Sequence, residues 1–574
     1  MTPILEVPNN LGGHAMKLEC ETISAKVNVA MLEKADRLFR NDDDGIWIEL
    51  LQNARRAGAA AVDISVKEVQ ATSGQCEITI RDDGGGIDNF QSLLTLGTSG
   101  WNMETQMRED PAGMGFFCMC RSEVEVHSGH RLVRITPSVF LGKGEAQVET
   151  TPELVRGTRV RFTRASTRTA LIGALERVAE FYPLEVSLEG QQLQRHDFLE
   201  GALYRESIDG IEVGFSTAFK WGWHWRDLNW NFYGARIHEP FEAITGFLGT
   251  AKDGPPSEIH ARFNVLEIAR VKLQLPDRRG IIQDDFLRDF ERKARAAAYR
   301  FFQGQQHHAL PFKNWKEAKA LGVDLSEAAY LLTSWHARPQ DDNIEPLFGH
   351  SERQLLTDVS NAILVARDLP DAHTLEAALH CGASVEGYLY EEKAEYNGYS
   401  WYDGLPRIVT TTVFANDVTY EEWLPTNGRP KKIDIEISIK QAGQSDRRPR
   451  LPALIHIPSD NYGEINFVAV SQSPWDNDEL CGPFAVTDFL VSATFCASDD
   501  AGCDSWETQK NAWDEAVERE VNAYFRGPRA TLLSILRKAI NWEASDLAEQ
   551  IGIKEIRFKR APSGRLGWDV ELAN

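Results

Sequence analysis

Apolar positions in the first third of the chain change period several times, and the changes mark elements. Over residues 29–40, VAMLEKADRLFR repeats apolar residues at helical spacing until NDDDG breaks it. IWIELLQNARRA predicts a second helix, with Ile46, Leu50 and Ala54 on one stripe, Asp43 or Asp44 as N-cap and Gly58 as the stop. The period then drops to two. Val62, Ile64 and Val66 alternate in AVDISVKEV, and Cys76, Ile78 and Ile80 in CEITI, which predicts two strands running into RDDGGGID. SEVEVHS, LVRITPSVF and GTRVRFT predict three more strands, and AGMGFFCMC a glycine turn opening a helix. Residues 1–165 therefore read as an α/β sandwich, a mixed sheet with helices on one face.

Further on, RTALIGALERVAEFY predicts a helix, LEVSLEG a strand and DFLRDFERKARAAAYRFF a long helix that closes this region, followed by NWKEAKALGVDLSEAAYLL. Trp221, Trp223 and Trp225 fall at period two in a strand-like stretch. Next to Lys220 and Arg226 they read either as a base-stacking platform or, with more support from the acidic composition, as a sheet packing its tryptophans on helices. WHARPQDDNIEP reads as a linker before a mixed α/β remainder. The fold class is α+β, with domains expected at 1–165, 166–335 and 336–574.

Composition narrows the partners. The chain has 574 residues, 42% hydrophobic and 26% charged, with a formal net charge of −23, so its overall field repels polyanions and disfavours nucleic acid. No charged n-region with a long apolar run opens the chain and no window reaches 18 apolar residues, which predicts a cytoplasmic protein with no membrane contact. The eight cysteines contain no C-x₂-C pair and are expected as reduced, buried thiols. His336, Asp341, Asp342 and His350 are expected to be solvated rather than a metal cluster. NDDDG fails as a calcium loop, because Arg40 falls at the first ligand position and Leu51 where a bidentate glutamate belongs.

No Walker pattern occurs, so a nucleotide would be held another way. Glu49 and Asn53 are four apart and project from one helix face. Asn53 offers a neutral oxygen to Mg²⁺, and Glu49, one turn away, suits the orientation or deprotonation of a water. The three glycines after Asp82 and Asp83 suit either a hairpin turn or a backbone that a ligand approaches closely. Asp82 can accept from an exocyclic amine, and the amides around Gly113 to Phe116 suit phosphate oxygens.

These segments, ELLQNA (49–54), DDGGG (82–86), GTSG (97–100), GMGF (113–116) and GT (157–158), stand in an order and spacing that resembles the Bergerat-fold, or GHKL, ATPases. ELLQNARRAGA is most similar to the MutL form of the first motif and GMGFFCM to the form in the ninety-kilodalton chaperone. The resemblance implies ATP and Mg²⁺ as ligands, Glu49 as hydrolytic base and Asn53 as metal ligand. It implies Asp82 as adenine reader with Gly84, Gly86 and Ile87 beside the base, and Thr158 supporting Asp82 through a hydroxyl or a water. Gly97, Thr98, Ser99, Gly113, Met114, Gly115 and Phe116 would belong to the lid and phosphate contacts. The chain departs from the pattern at Arg56, where MutL-like proteins carry aspartate, at Asp110, and in TSGW, which lacks a basic lid residue.

The module begins the chain, unlike the histidine kinases. In the gyrase, MutL and chaperone arrangement a transducer domain follows and sends a basic residue to the terminal phosphate. VKLQLPDRRGIIQDDF resembles that segment, which makes Lys272, Arg278 and Arg279 the candidates. The expected function is an ATP-driven conformational switch with slow turnover, acting as a homodimer. A protein client or partner would bind through the C-terminal region, and a prokaryotic defence or mobile-element system is one setting. A hydrolysis-poor ATP- or ADP-binding scaffold and a DNA-acting effector are the alternatives.

Overall fold

A computed structural model describes residues 42–70, 74–95, 101, 115–217, 228–248, 257–265, 270–274, 280–344, 348–423, 429–458, 464–470, 483–498, 504–539, 542–560 and 568–573. The helix expected over 29–40 and the tryptophans at 221, 223 and 225 lie outside the described residues. The chain divides into two compact units, residues 1–244 with 258–301, and residues 245–257 with 302–574.

Unit 1 opens with α1 (Asp43–Arg56). Its N-cap is Asp42, not Asp43 or Asp44: the Asp42 carboxylate accepts from the Gly45 N–H at 2.7 Å. The other two aspartates occupy the first turn, where the helix dipole favours them, and are claimed by distant partners. Asp43 binds Arg164 (2.6 Å) and Ser166 (2.7 Å), and Asp44 binds Arg177 (2.7 Å). The buried stripe holds Ile46, Leu50 and Ala54 as expected, with Trp47 and Leu51 added. At the far end Gly58 takes φ +75°, while the Gly58 and Ala59 N–H groups bond back to the Arg55 and Ala54 carbonyls.

β1 (Ala61–Gln70) pairs antiparallel with β2 (Gln75–Asp82), placing Ile64 opposite Ile80 and Val66 opposite Ile78, all buried. Beyond them lie β3 (Val124–Ile135) and β4 (Val148–Ala165). The three strands expected here are two, because β3 runs on through Gly129 (φ +60°) with a register shift and joins SEVEVHS to LVRIT. The end of LVRITPSVF is a helical turn, Pro137–Phe140, started by a proline whose missing N–H costs nothing there. α2 (Arg168–Ala179) follows and accepts the Trp47 indole N–H at the Leu171 carbonyl (3.0 Å). β5 (Glu185–Leu188) runs parallel to β1, and β6 (Gln191–Gln192) closes the sheet in the order β3-β4-β2-β1-β5-β6.

A second sheet in unit 1 contains β7 (Tyr204–Ile208), β8 (Ile211–Ser216), β9 (Trp230–Phe232) and β10 (Ala235–Ile237). β11 (Ile244–Leu248), which from Thr245 belongs to unit 2, pairs through Phe247 and Leu248 with residues 308–309 of that same unit. β12 (Ser257–Val265) joins β8 antiparallel and β9 parallel. Trp230 stacks on Phe263 (4.4 Å between ring centres), and both rings meet Phe290 of α3 (Asp285–Gln303).

Unit 2 is built on a mixed sheet of Tyr388–Glu391, Ala362–Val365, Arg407–Ala415, Ile433–Lys440 and Arg450–Ala453. The stretch expected as a linker is packed, since Trp335 and Ala337 are buried against Ile363 and Val365. Asp341, expected to be solvated, is buried and accepts from the Ala497 N–H (2.9 Å), the Asn343 N–H (2.9 Å) and the Trp506 indole (3.3 Å). His336 pairs with the buried Glu376 at 3.1 Å, while Asp342 and His350 are exposed. Cys76, Cys118 and Cys120 are buried free thiols, but Cys381 and Cys496 are exposed. Among the described residues no three His, Cys, Asp or Glu side chains gather as a metal site, and no helix is long and apolar enough to cross a membrane.

Candidate nucleotide site

The loop after β2 touches the end of α1 at Ala57, and the 115–119 turn touches the same helix at Glu49. Asp82 is the last residue of β2, the strand between β4 and β1, and stands opposite Val62 of β1. Its Oδ1 accepts from the Gly84 N–H (2.9 Å) and the Thr158 N–H (3.3 Å), so Thr158 reaches Asp82 through its backbone rather than its hydroxyl. Among the described residues none donates to Oδ2. Burial pushes the Asp82 carboxyl above the usual aspartate range, and the two N–H donors offset part of that rise.

Its neighbour has a different task. Asp83 accepts from the Ala61 (3.0 Å) and Ala60 (2.8 Å) N–H groups at the start of β1, and those two donors hold its carboxyl below the usual range. Two adjacent aspartates are thus shifted in opposite directions, one half-buried at the site and one fixing a chain entry.

The glycines are required on their protein-facing side. A Cβ on Gly84 would overlap the Ala57 carbonyl and methyl, and the Gly85 N–H already donates to that carbonyl at 2.8 Å. At Gly86 (φ +80°) a Cβ would meet the Ser128 hydroxyl, and at Gly157 (φ +73°) the backbone and carboxylate of Asp82. Ser128, which sequence reasoning missed, is buried and ties this loop together: its Oγ accepts from the Ile87 N–H (2.9 Å) and donates to the Gly157 carbonyl (2.9 Å). Arg131, also missed, donates to the Ile87 carbonyl at 2.8 Å, so both backbone groups of Ile87 are engaged. Both residues sit on β3, some forty positions away in sequence, and nothing local marks them.

Glu49 and Asn53 project from α1 one turn apart. Gly115 lies directly on the Glu49 carboxylate, where any Cβ would overlap it. Residues 115–119 form one 3₁₀ turn rather than the longer helix expected; Phe116 and Phe117 pack on Phe140 (5.8 and 5.6 Å between ring centres). Lys272 is exposed, its carbonyl accepting from the Ile282 N–H at 2.8 Å beside a Leu273–Ile281 bridge. Gly97, Thr98, Ser99, Gly113, Met114, Arg278 and Arg279 lie outside the described residues.

The donor set suits a purine nucleotide on two observations. Among the described residues nothing donates to one oxygen of the half-buried Asp82 carboxylate, and the Glu49 carboxylate, with the Asn53 amide one turn away, stands against a glycine with no room for a side chain. Comparison with known proteins agrees on the domain. The family described as histidine kinase-, DNA gyrase B-, and HSP90-like ATPase matches residues 40–167. No curated protein matches the chain. Among solved structures, the N-terminal domain of a DNA repair protein is 14% identical, with 33% of this chain and 72% of that one covered and a TM-score of 0.23. The topoisomerase IV ATP-binding domain of Francisella tularensis, bound to a small-molecule inhibitor, is 12% identical, with 48% and 88% covered and a TM-score of 0.28.

The chain therefore carries a GHKL-type ATPase domain at residues 40–167. Members of that family generally bind and hydrolyse ATP, and the domain supports ATP binding here.

Proposed function

We propose that this protein is a Mg²⁺-dependent, slowly hydrolysing ATPase that uses nucleotide binding to switch conformation. The observation that carries the reading is that one GHKL domain holds both Asp82, with two backbone donors on one oxygen and none from the described residues on the other, and Glu49 held against Gly115. Asp82 accepts the adenine amine. Asn53 supplies a neutral oxygen to Mg²⁺, which when bound neutralises charge on the phosphates. Glu49 orients or deprotonates the attacking water, a contribution of roughly 10²–10⁴ in rate.

Residues 97–115 act as the lid, and lid closure favours association of the ATPase domains of two chains. The second sheet of unit 1, within 166–335, acts as the transducer, with Lys272, Arg278 or Arg279 reaching the terminal phosphate. Residues 336–574 bind the partner or client, in a prokaryotic defence or mobile-element setting. The test combines calorimetry with Mg·ATP and a phosphate-release assay. Glu49→Ala is expected to bind and not hydrolyse, and Asp82→Asn to lose binding; hydrolysis at the wild-type rate in either variant would overturn the assignment.

A further inference from the structure

The C-terminal end of α1 has a second neighbour besides the glycine loop. The Arg55 guanidinium lies 3.7 Å from the centre of the Tyr233 ring. Tyr233 is buried and, with Gly234, forms the two-residue turn between β9 and β10, Phe232 standing opposite Ala235. Both turn residues take positive φ, +48° and +84°. Such a turn matches strand twist but normally takes Asn, Asp or Gly first, because a bulky side chain rarely adopts that backbone. An aromatic residue held there needs a compensating contact, and a cation on its face is one.

The hairpin is anchored behind that ring. Asn231, fully buried, accepts from the Gly234 N–H (2.8 Å) and donates to the Phe181 carbonyl (3.2 Å) and to Asn264 Oδ1 (2.7 Å). Asn264 passes the chain on to Glu212 at 3.0 Å, on β8. Gly234 lies against the Tyr182 ring, and Arg236 reaches Glu180 at 3.4 Å. On the other side, two residues after Arg55, Ala57 accepts from Gly85 and fills the space under Gly84. A rigid helix end is thus clasped by the glycine loop after Asp82 and by a strained turn of the second sheet.

We propose that Arg55 and Tyr233 are a positioning pair that carries nucleotide occupancy from α1 to the β9–β10 hairpin of the second sheet. The inference rests on the ATP reading above and extends it to a specific contact. Neither residue touches the nucleotide. Seating a base against the 84–86 loop fixes Ala57, which fixes the Arg55 backbone and holds the guanidinium on the ring, so the hairpin opens less often.

The test is amide hydrogen exchange over residues 230–237 in the full chain, with and without a non-hydrolysable Mg·ATP analogue, alongside calorimetry on the same samples. In the wild type the analogue is expected to slow exchange there about tenfold, a factor between those of an exposed and a fully desolvated cation–π contact. Arg55→Leu is expected to keep the binding heat and lose the slowing, and Tyr233→Leu to do the same. Tyr233→Phe and Arg55→Lys, which keep a ring and a cation, are expected to restore it. Slowing that survives in Arg55→Leu, or is lost in Tyr233→Phe while the protein still binds, overturns the pair as the relay. Absence of heat from the wild type overturns the ATP reading instead, and the relay falls with it.

Discussion

Gly115 is seated on the carboxylate of Glu49 so closely that a single methyl group on its Cα would occupy the position of the carboxylate oxygens. The glycine sets where that acid can stand. Gly115→Ala is therefore expected to push Glu49 off its rotamer, lowering the ATP hydrolysis rate by roughly 10²-fold, the size of a misplaced general base. Binding heat for Mg·ATP is expected to stay near the wild-type value. A phosphate-release assay beside calorimetry checks this, and equal losses in both would show that the glycine serves the fold and not the acid.

Asp82 and Asp83 give a pH prediction of opposite signs. Burial raises the folded-state pKa of Asp82, so the fold prefers its neutral form: that contribution is complete below the unfolded pKa and is lost as pH rises through the folded value. Above the folded value the charged Asp82 therefore costs stability. Asp82→Asn is expected to melt at the same temperature as the wild type or higher while losing Mg·ATP binding. Asp83 runs the other way, its lowered pKa giving stability that is present above the unfolded value and lost as pH falls through the folded one. Asp83→Asn is expected to lower the melting temperature slightly, by weakening the bonds to Ala60 and Ala61, and to leave ATP binding intact.

Much of the first sheet was legible because its signal is local. Ile64, Val66, Ile78 and Ile80 alternate in sequence and are buried in register across β1 and β2. What escaped depends on partners far along the chain. Three consecutive aspartates offer identical capping chemistry, and only Arg164, Ser166 and Arg177, more than 120 residues on, decide that Asp42 is the one left to cap. Gly129 looks like a strand end until β4 is there to pair through the bulge. Trp335 and Ala337 sit among polar linker-like neighbours, and their burial is set by a sheet that forms later in the chain. At the site, the placing of Glu49 and Asn53 one turn apart on a helix and of Asp82 at a strand end was readable from spacing, whereas Ser128 and Arg131, which hold the loop from β3, were not.

Ser128 makes the consequence measurable. Its hydroxyl serves the Ile87 N–H and the Gly157 carbonyl at once and the residue is 4% exposed, so Ser128→Ala strands a half-buried donor and a buried acceptor. The expected loss is about 1–3 kcal/mol of unfolding free energy, the range for an unsatisfied buried group. Nucleotide affinity is expected to fall with it, because the freed loop carries Gly86. Chemical denaturation at saturating Mg·ATP and without it separates the two effects.

Gly58 and Gly157 share a left-handed backbone, φ +75° and +73°, but not their surroundings. A Cβ on Gly58 meets nothing within 4 Å, whereas one on Gly157 would overlap the Asp82 carbonyl and crowd its Oδ1 at 2.9 Å. Gly58→Ala therefore isolates the cost of the conformation, about 1–2 kcal/mol, with no effect expected on ATP binding. Gly157→Ala carries the same conformational cost and must in addition move Asp82, the proposed acceptor of the adenine amine. It is expected to destabilise more than Gly58→Ala and to abolish the calorimetric signal with Mg·ATP. Asparagine, which tolerates the left-handed region, is expected to recover stability at 58 and to recover neither stability nor binding at 157, because there the obstacle is the Cβ itself. Equal losses at the two positions, with binding retained in both, would mean that Gly157 is a turn residue only and that Asp82 does not depend on its close approach.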